Sequence, residues 1–208
     1  MTPGKFITLE GGEGVGKSTQ AARLADALRA QGLEVVVTRE PGGTAGAEAI
    51  RDLLMTGDVD RWSARAEALL FAAARGDHVE KVIRPALDRG AWVICDRFVD
   101  STRAYQGGAG GVSDDDILAL HKVGSGGLMP DRTLLMRLPI DQAAARAAHR
   151  AQGNADRFGA RGVDYHQQLN DAFSRLVAKE TDRFRSIDAS GTEDEVTTAL
   201  IDAVIDLI

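Results

Sequence analysis

Phe6-Ile7-Thr8-Leu9-Glu10-Gly11-Gly12-Glu13-Gly14-Val15-Gly16-Lys17-Ser18-Thr19 decides how this chain is read. Residues 6–10 are rich in strand formers and run straight into a glycine-rich turn. Residues 20–30 then place Ala21, Leu24, Ala25 and Leu28 at helical spacing, so the stretch reads strand, loop, helix. Gly11 to Ser18 satisfies G-x-x-x-x-G-K-[ST], the pattern of a phosphate-binding loop. Its glycines let successive backbone N–H groups curl around phosphate oxygens, and the positive end of the next helix faces the same anion. Lys17 reaches the β and γ oxygens of a bound triphosphate, and the Ser18 hydroxyl offers an oxygen to Mg²⁺. Residues 11–19 are therefore the candidate nucleoside triphosphate site.

Outward from this loop, short apolar runs alternate with helical patterns. Strands are expected at residues 33–38, at 92–95 ending on Asp96, at 133–138 and at 184–187. Helices are expected at 45–55, at 63–89 with an interruption near Pro85, at 114–123 capped by Ser113, and at 141–150, 163–182 and 193–208. Residues 107–111 read as a flexible glycine loop. The alternation implies an α/β fold: one domain over residues 1–208, with a five-stranded parallel sheet flanked by helices. In such sheets ligands bind beyond the carboxyl ends of the strands.

Composition narrows the function classes. A chain of 208 residues can build a core without a metal or disulfide staple. One cysteine makes no internal disulfide, and no Cys/His cluster has zinc spacing, which suits a reducing cytoplasm. No apolar run approaches the roughly 20 residues that span a bilayer, and no signal-peptide pattern is present, so no membrane partner is expected. A net charge of −6 argues against broad binding to nucleic acid. Arg146, Arg150, Arg157 and Arg161 nevertheless cluster with no lysine among them, a composition suited to bidentate anion recognition.

A triphosphate site alone leaves a GTPase-type switch, an ATPase and a small-molecule kinase open. No Asn-Lys-x-Asp guanine-reading motif is present. A kinase needs a second pocket, and candidates for one exist. Phe71 and Arg75 lie four apart on a helix, an aromatic plane beside a donor fork. Asp96, at a strand end, can hold Mg²⁺ through water, and the adjoining Arg97 can clamp an acceptor phosphate. Ser101, Thr102, Tyr105 and Gln106 follow within one or two helical turns. Arg39, just before Pro41-Gly42-Gly43, adds charge at another strand end.

Three stretches together resemble the bacterial thymidylate kinases (dTMP kinases), a family of P-loop nucleoside monophosphate kinases: residues 10–19, Thr38-Arg39-Glu40-Pro41-Gly42-Gly43-Thr44, and residues 96–107. Leu70-Phe71-Ala72-Ala73-Ala74-Arg75 is similar to the family's base-reading helix. The resemblance implies phosphorylation of dTMP to dTDP by ATP with Mg²⁺ at Ser18 and Asp96, on the way to dTTP, by a homodimer. It implies a dTMP site of Glu13, Arg39, Pro41, Phe71, Arg75, Arg97, Ser101, Thr102, Tyr105 and Gln106. Phe71 would stack on thymine, Arg75 would donate to its carbonyl, Glu13 would face the 3′-hydroxyl and Tyr105 would crowd the 2′ position. One family arrangement places a catalytic arginine in the phosphate loop, where this chain has Gly14. The other uses arginines of a mobile lid, here about residues 146–162. Asp156-Arg157 fits that lid motif best, although Gly159 stands where relatives often carry an acid. Lys17, Arg97, Arg157 and Arg150 are the catalytic candidates. The alternatives are a kinase for another nucleoside monophosphate or small acceptor, or a P-loop switch or ATPase.

Overall fold

The computed structural model describes residues 4–151, 157–159 and 161–208, without the side chains of residues 150 and 151. β1 (Phe6–Glu10) leads through the glycine loop into α1 (Lys17–Ala30), followed by β2 (Val35–Arg39), α2 (Ala45–Met55) and α3 (Ala64–His78). α4 (Arg84–Asp88), β3 (Trp92–Asp96), α5 (Val99–Thr102), α6 (Asp114–Ser125) and β4 (Arg132–Arg137) come next. α7 (Ile140–Ala151), α8 (Val163–Lys179), β5 (Phe184–Asp188) and α9 (Glu193–Asp202) complete the order. The five strands form one parallel sheet in the order β2-β3-β1-β4-β5.

β1 is buried along its whole length, as a central parallel strand covered on both faces must be. One face packs Leu24, Leu28 and Leu200 against Ile7, Leu9 and Ile94. The other packs Ile83, Phe98 and Ile117 against Phe6, Val93 and Cys95. Burial also raises the Cys95 thiol well above its usual range, the state of a small hydrophobe. The register sets Asp96 of β3 between Leu9 of β1 and Arg39 of β2. Three strand ends therefore open onto one edge, at the point where the strand order turns back around β1.

The interruption expected near Pro85 in the long helix after Ser63 is present as a π-helical turn over Val79–Ile83, two residues ahead of the proline, while other elements differ from the sequence expectation. Proline brings no N–H to the ladder and its ring presses on the carbonyl four residues back, so the helix widens there. The glycine loop expected at 107–111 is instead largely helical, continuing α5 as a π-helical turn over Arg103–Ala109. A Cβ on Gly108 would lie 2.1 Å from the Ala172 side chain. This glycine therefore serves close packing against α8 and not mobility. The last helix stops at Asp202, and Ile205–Leu207 forms a short 3₁₀ turn. No helix among the described residues is long and apolar enough to cross a membrane.

Candidate active site

The phosphate loop sits where β1 meets α1. Gly16 caps α1 in the left-handed region at φ 92°. Lys17 is buried, and its ammonium donates to Gly12 O at 2.6 Å and Gly11 O at 3.2 Å. Burial, then the charge of Arg97, lowers its pKa from 10.5 to about 8, against the pull of Glu13, Asp96 and Glu10. A Cβ on Gly14, at φ 77°, would lie 2.1 Å from Ala143 O of α7. No side chain fits there while α7 is seated on the loop, so an arginine at this position is sterically excluded from this arrangement.

Ser18 Oγ donates to Asp96 Oδ2 at 2.6 Å. A hydroxyl and a carboxylate oxygen at a phosphate-loop mouth fit Mg²⁺, which keeps several waters and shares its coordination with substrate phosphates. The described residues contain no group of three or more His, Cys, Asp or Glu able to cage a metal without substrate.

A cavity of about 250 Å³ begins at Lys17 and Ser18 and extends under β2 and α3. It is lined by all ten residues singled out for the acceptor: Glu13, Arg39, Pro41, Phe71, Arg75, Arg97, Ser101, Thr102, Tyr105 and Gln106. Arg97 has φ 70°, the one positive value on a non-glycine residue among those described. Such a backbone costs on the order of 1–3 kcal/mol and needs support. Arg97 N donates to Leu9 O at 3.0 Å, and the next N–H, of Phe98, donates to Glu10 Oε1 at 2.8 Å. The Arg97 guanidinium reaches Gly11 O at 2.8 Å, Ser101 Oγ at 3.2 Å and Glu13 Oε1 at 2.5 Å, and it lies over the Tyr105 ring. Burial opposes its charge, but Glu13, Tyr105, Asp96 and Glu10 outweigh burial and raise its pKa further. Tyr105 OH donates to the same Glu13 oxygen at 3.3 Å. Arg39 stands at the rim, exposed and paired with Glu48 at 2.9 Å.

Arg75 is almost fully buried. Its Nε donates to Glu40 Oε2 at 2.7 Å, Nη2 donates to Thr102 Oγ1 at 2.8 Å, and the guanidinium lies over the Phe98 ring. Glu10, beneath the pocket, accepts from Phe98 N, Ser101 N and Ser101 Oγ. Burial and the charge of Asp100 raise its pKa from 4.5 to about 7.

Of the arginines expected in a lid, Arg157 has its hydrogen-bond partners at residues 54, 58, 59 and 67, none of them in the phosphate loop. It is buried, with Nε donating to Asp58 O at 2.6 Å, Nη1 to Leu54 O at 2.8 Å, and Nη2 to Val59 O at 2.9 Å and Glu67 Oε1 at 3.2 Å. Leu54 lies in the last turn of α2, where carbonyls lack helical partners, so a guanidinium fork meets a ready set of acceptors. Arg161 joins the same carboxylate through Nη2 at 3.0 Å, while Arg146 donates to Ala189 O at 3.2 Å. The side chain of Arg150 and the whole of Asp156 lie outside the described residues. With Arg157 anchored, Phe158 enters the acceptor cavity, its ring 5.9 Å from Phe71 and 6.0 Å from Tyr105.

The sequence reading thus passed over Glu10, Glu40, Glu67, His78 and Phe158. Glu10 and Glu40 lie inside the stretches that carry the family resemblance, and Glu67 shares the four-residue spacing of Phe71 and Arg75.

A phosphate loop at the switch point of a parallel sheet, continuous with an acceptor cavity, defines a P-loop kinase of the nucleoside monophosphate type. Residues 9–200 match the family model described as thymidylate kinase. The thymidylate kinase of Rhizorhabdus wittichii is 60% identical over 206 residues, covering 99% of both chains. That of Caulobacter vibrioides is 52% identical, covering 99% of this chain and 98% of its own. The crystal structure of thymidylate kinase from Ehrlichia chaffeensis matches with a TM-score of 0.79 at 31% identity, covering 97% of this chain and 100% of that one. The chain belongs to the thymidylate kinase family and is a phosphoryl-transferring enzyme.

Proposed function

We propose that the chain transfers the γ-phosphoryl group of ATP to the phosphate of dTMP, giving ADP and dTDP for dTTP synthesis. The observation that carries this reading is the single cavity joining Lys17 and Ser18 to Phe71 and Arg75, with Arg97 between them. Phe71 stacks on the base, Arg75 donates to a ring carbonyl, and Arg97 aligns the acceptor phosphate. Glu13 faces the 3′-hydroxyl, Tyr105 crowds the 2′ position, and Ser101, Thr102 and Gln106 complete the wall with Pro41 and Arg39. Ser18 and Asp96 would hold Mg²⁺, which when bound neutralises charge on the polyphosphate.

Transfer needs alignment and neutralised charge more than covalent help from the protein. Lys17 supplies one positive charge at the β and γ oxygens. The segment 146–162 is assigned as the lid, with Arg146 and Arg150 as its cations toward ATP and Arg157 as its anchor. Lid closure excludes water and so suppresses ATP hydrolysis. A homodimer in the cytoplasm completes the reading, and Leu69 on α3 and Val123 on α6, large apolar side chains left exposed, support an assembled face. The test is ADP release across a panel of dTMP, dUMP, dCMP, dGMP and AMP. Preference for dTMP is expected. Equal use of a purine monophosphate, or ADP release independent of acceptor, would overturn the assignment.

A further inference from the structure

Behind the base-reading arginine runs a buried chain of side chains that the reaction itself does not require. Thr38 Oγ1 meets His78 Nε2 at 2.7 Å, His78 Nδ1 meets Glu40 Oε1 at 3.1 Å, and Glu40 Oε2 accepts from Arg75 Nε at 2.7 Å. Glu40 and Arg75 are almost fully buried, and His78 is wholly so. A carboxylate can only accept, so Nδ1 carries a ring proton and donates it to Glu40, while Nε2 shares a hydrogen bond with the Thr38 hydroxyl. Gly43, the second glycine of Arg39-Glu40-Pro41-Gly42-Gly43, makes room for this chain. A Cβ there would lie 2.5 Å from His78 Nε2 and 2.8 Å from Thr38 Oγ1.

We propose that Glu40, backed by His78 and Thr38, is the positioning residue that aims Arg75 at the acceptor base and thereby sets base specificity. The inference rests on the dTMP kinase reading and adds a residue to it. Glu40 takes Nε, Thr102 takes one Nη2 proton, and the Phe98 ring fixes the guanidinium plane. Nη1 has no partner among the described side chains, and Arg75 lines the cavity. One edge of the fork is thus fixed and the other is presented to a carbonyl. The Glu40 backbone N–H donates to Asp96 O at 2.9 Å, so the aim of Arg75 is referred to the strand end that carries the metal candidate. A long flexible side chain without this brace would meet the base in several geometries, and discrimination between a carbonyl and an amino group would fall.

The experiment measures kcat and KM for dTMP and dCMP in wild type, Glu40→Gln, Arg75→Ala, the double variant and Thr38→Val. Glu40→Gln is expected to raise the KM for dTMP about tenfold, lower kcat much less, and lower the dTMP-to-dCMP preference by a similar factor. In the Arg75→Ala background the same change should add less than about twofold, because the brace has nothing left to aim. Thr38→Val, nearly isosteric and far from substrate, should shift KM for dTMP in the same direction by roughly threefold with dCMP unchanged. Multiplicative effects in the double variant, equal losses for dTMP and dCMP, or no shift in Thr38→Val would overturn the inference. Should Glu40→Gln fail to fold, Thr38→Val decides alone. A wild-type chain that ignores dTMP would instead sink the assignment of the reaction, and this inference with it.

Discussion

Arg75 and Arg157 are each held by a buried carboxylate, Glu40 and Glu67, but to different ends. In the acceptor half, Glu40 and Thr102 bind Arg75 and leave one nitrogen of the fork without a partner among the described residues. In the lid half, Arg157 meets three carbonyls and Glu67, so its donors are committed to the protein. A guanidinium has five donors in a fixed fork. How many of them the protein consumes separates a reader of substrate from an anchor. On the proposed function, that measure assigns Arg75 to recognition and Arg157 to anchoring. Phe158 follows from the anchor, since it becomes part of the acceptor wall once Arg157 is seated.

The largest effect should come from the element both halves need. Lys17→Ala is expected to lower kcat at least a hundredfold with the fold intact, since the ammonium acts on charge that develops during transfer. Near-normal turnover, with folding verified by circular dichroism, would detach the chemistry from this loop.

Next comes the reader. Cytosine carries an amino group where thymine carries its 4-carbonyl, and a guanidinium can only donate. Arg75→Ala should therefore collapse the dTMP-to-dCMP ratio of kcat/KM by roughly tenfold to a hundredfold. Phe71→Ala should weaken both substrates and keep more of the ratio, because every base offers a π face. An unchanged ratio in Arg75→Ala would place base reading elsewhere in the cavity.

A smaller effect separates anchor from catalyst. Arg157→Ala should raise the KM for dTMP about three- to tenfold by loosening Phe158, and lower the thermal midpoint by several degrees through loss of a buried, hydrogen-bonded pair. A loss confined to kcat, with midpoint and KM unchanged, would mean that Arg157 works on ATP phosphates and that the anchored arrangement is not the reacting one.

The same contrast marks how far the sequence carries. The loop and the strand alternation were legible because each rests on local spacing, whereas the ten acceptor residues that line the cavity were named mainly through resemblance to a family. Glu40, His78 and Glu67 were not. Their roles arise from contacts across 35, 38 and 90 residues of chain, which no periodicity reports. Glu67 lies on the face of α3 that carries Phe71 and Arg75, but a helical carboxylate is usually solvated, and its burial goes with ion pairs to Arg157 and Arg161. The glycines at 107–111 misled for a related reason. Composition signals backbone freedom, whereas Gly108 is small because Ala172 lies against it.

The smallest effect tests where the two halves meet. The pKa of Lys17 near 8 is set first by burial and then by Arg97, a residue of the acceptor half. The charged ammonium is the form that attracts phosphate, so kcat/KM for ATP should be flat below pH 8, halved near pH 8 and falling about tenfold per unit above it. Bound polyphosphate favours the charged form, so kcat at saturating ATP should hold to higher pH. Stability moves the other way. The folded-state pKa lies below the 10.5 of an unperturbed lysine, so between about pH 8 and 10.5 the unfolded chain holds a proton that the native chain has lost. This group's contribution to stability therefore rises over that window, as binding of ATP falls. Lys17→Met removes the titration while keeping much of the side-chain volume, and should flatten both curves in this range. Parallel profiles of kcat/KM for ATP and of the urea midpoint, in wild type and Lys17→Met, check the sign. If the descending limb of wild-type kcat/KM for ATP lies near pH 10 instead, Arg97 and burial do not hold the lysine down, and the two halves are electrostatically independent.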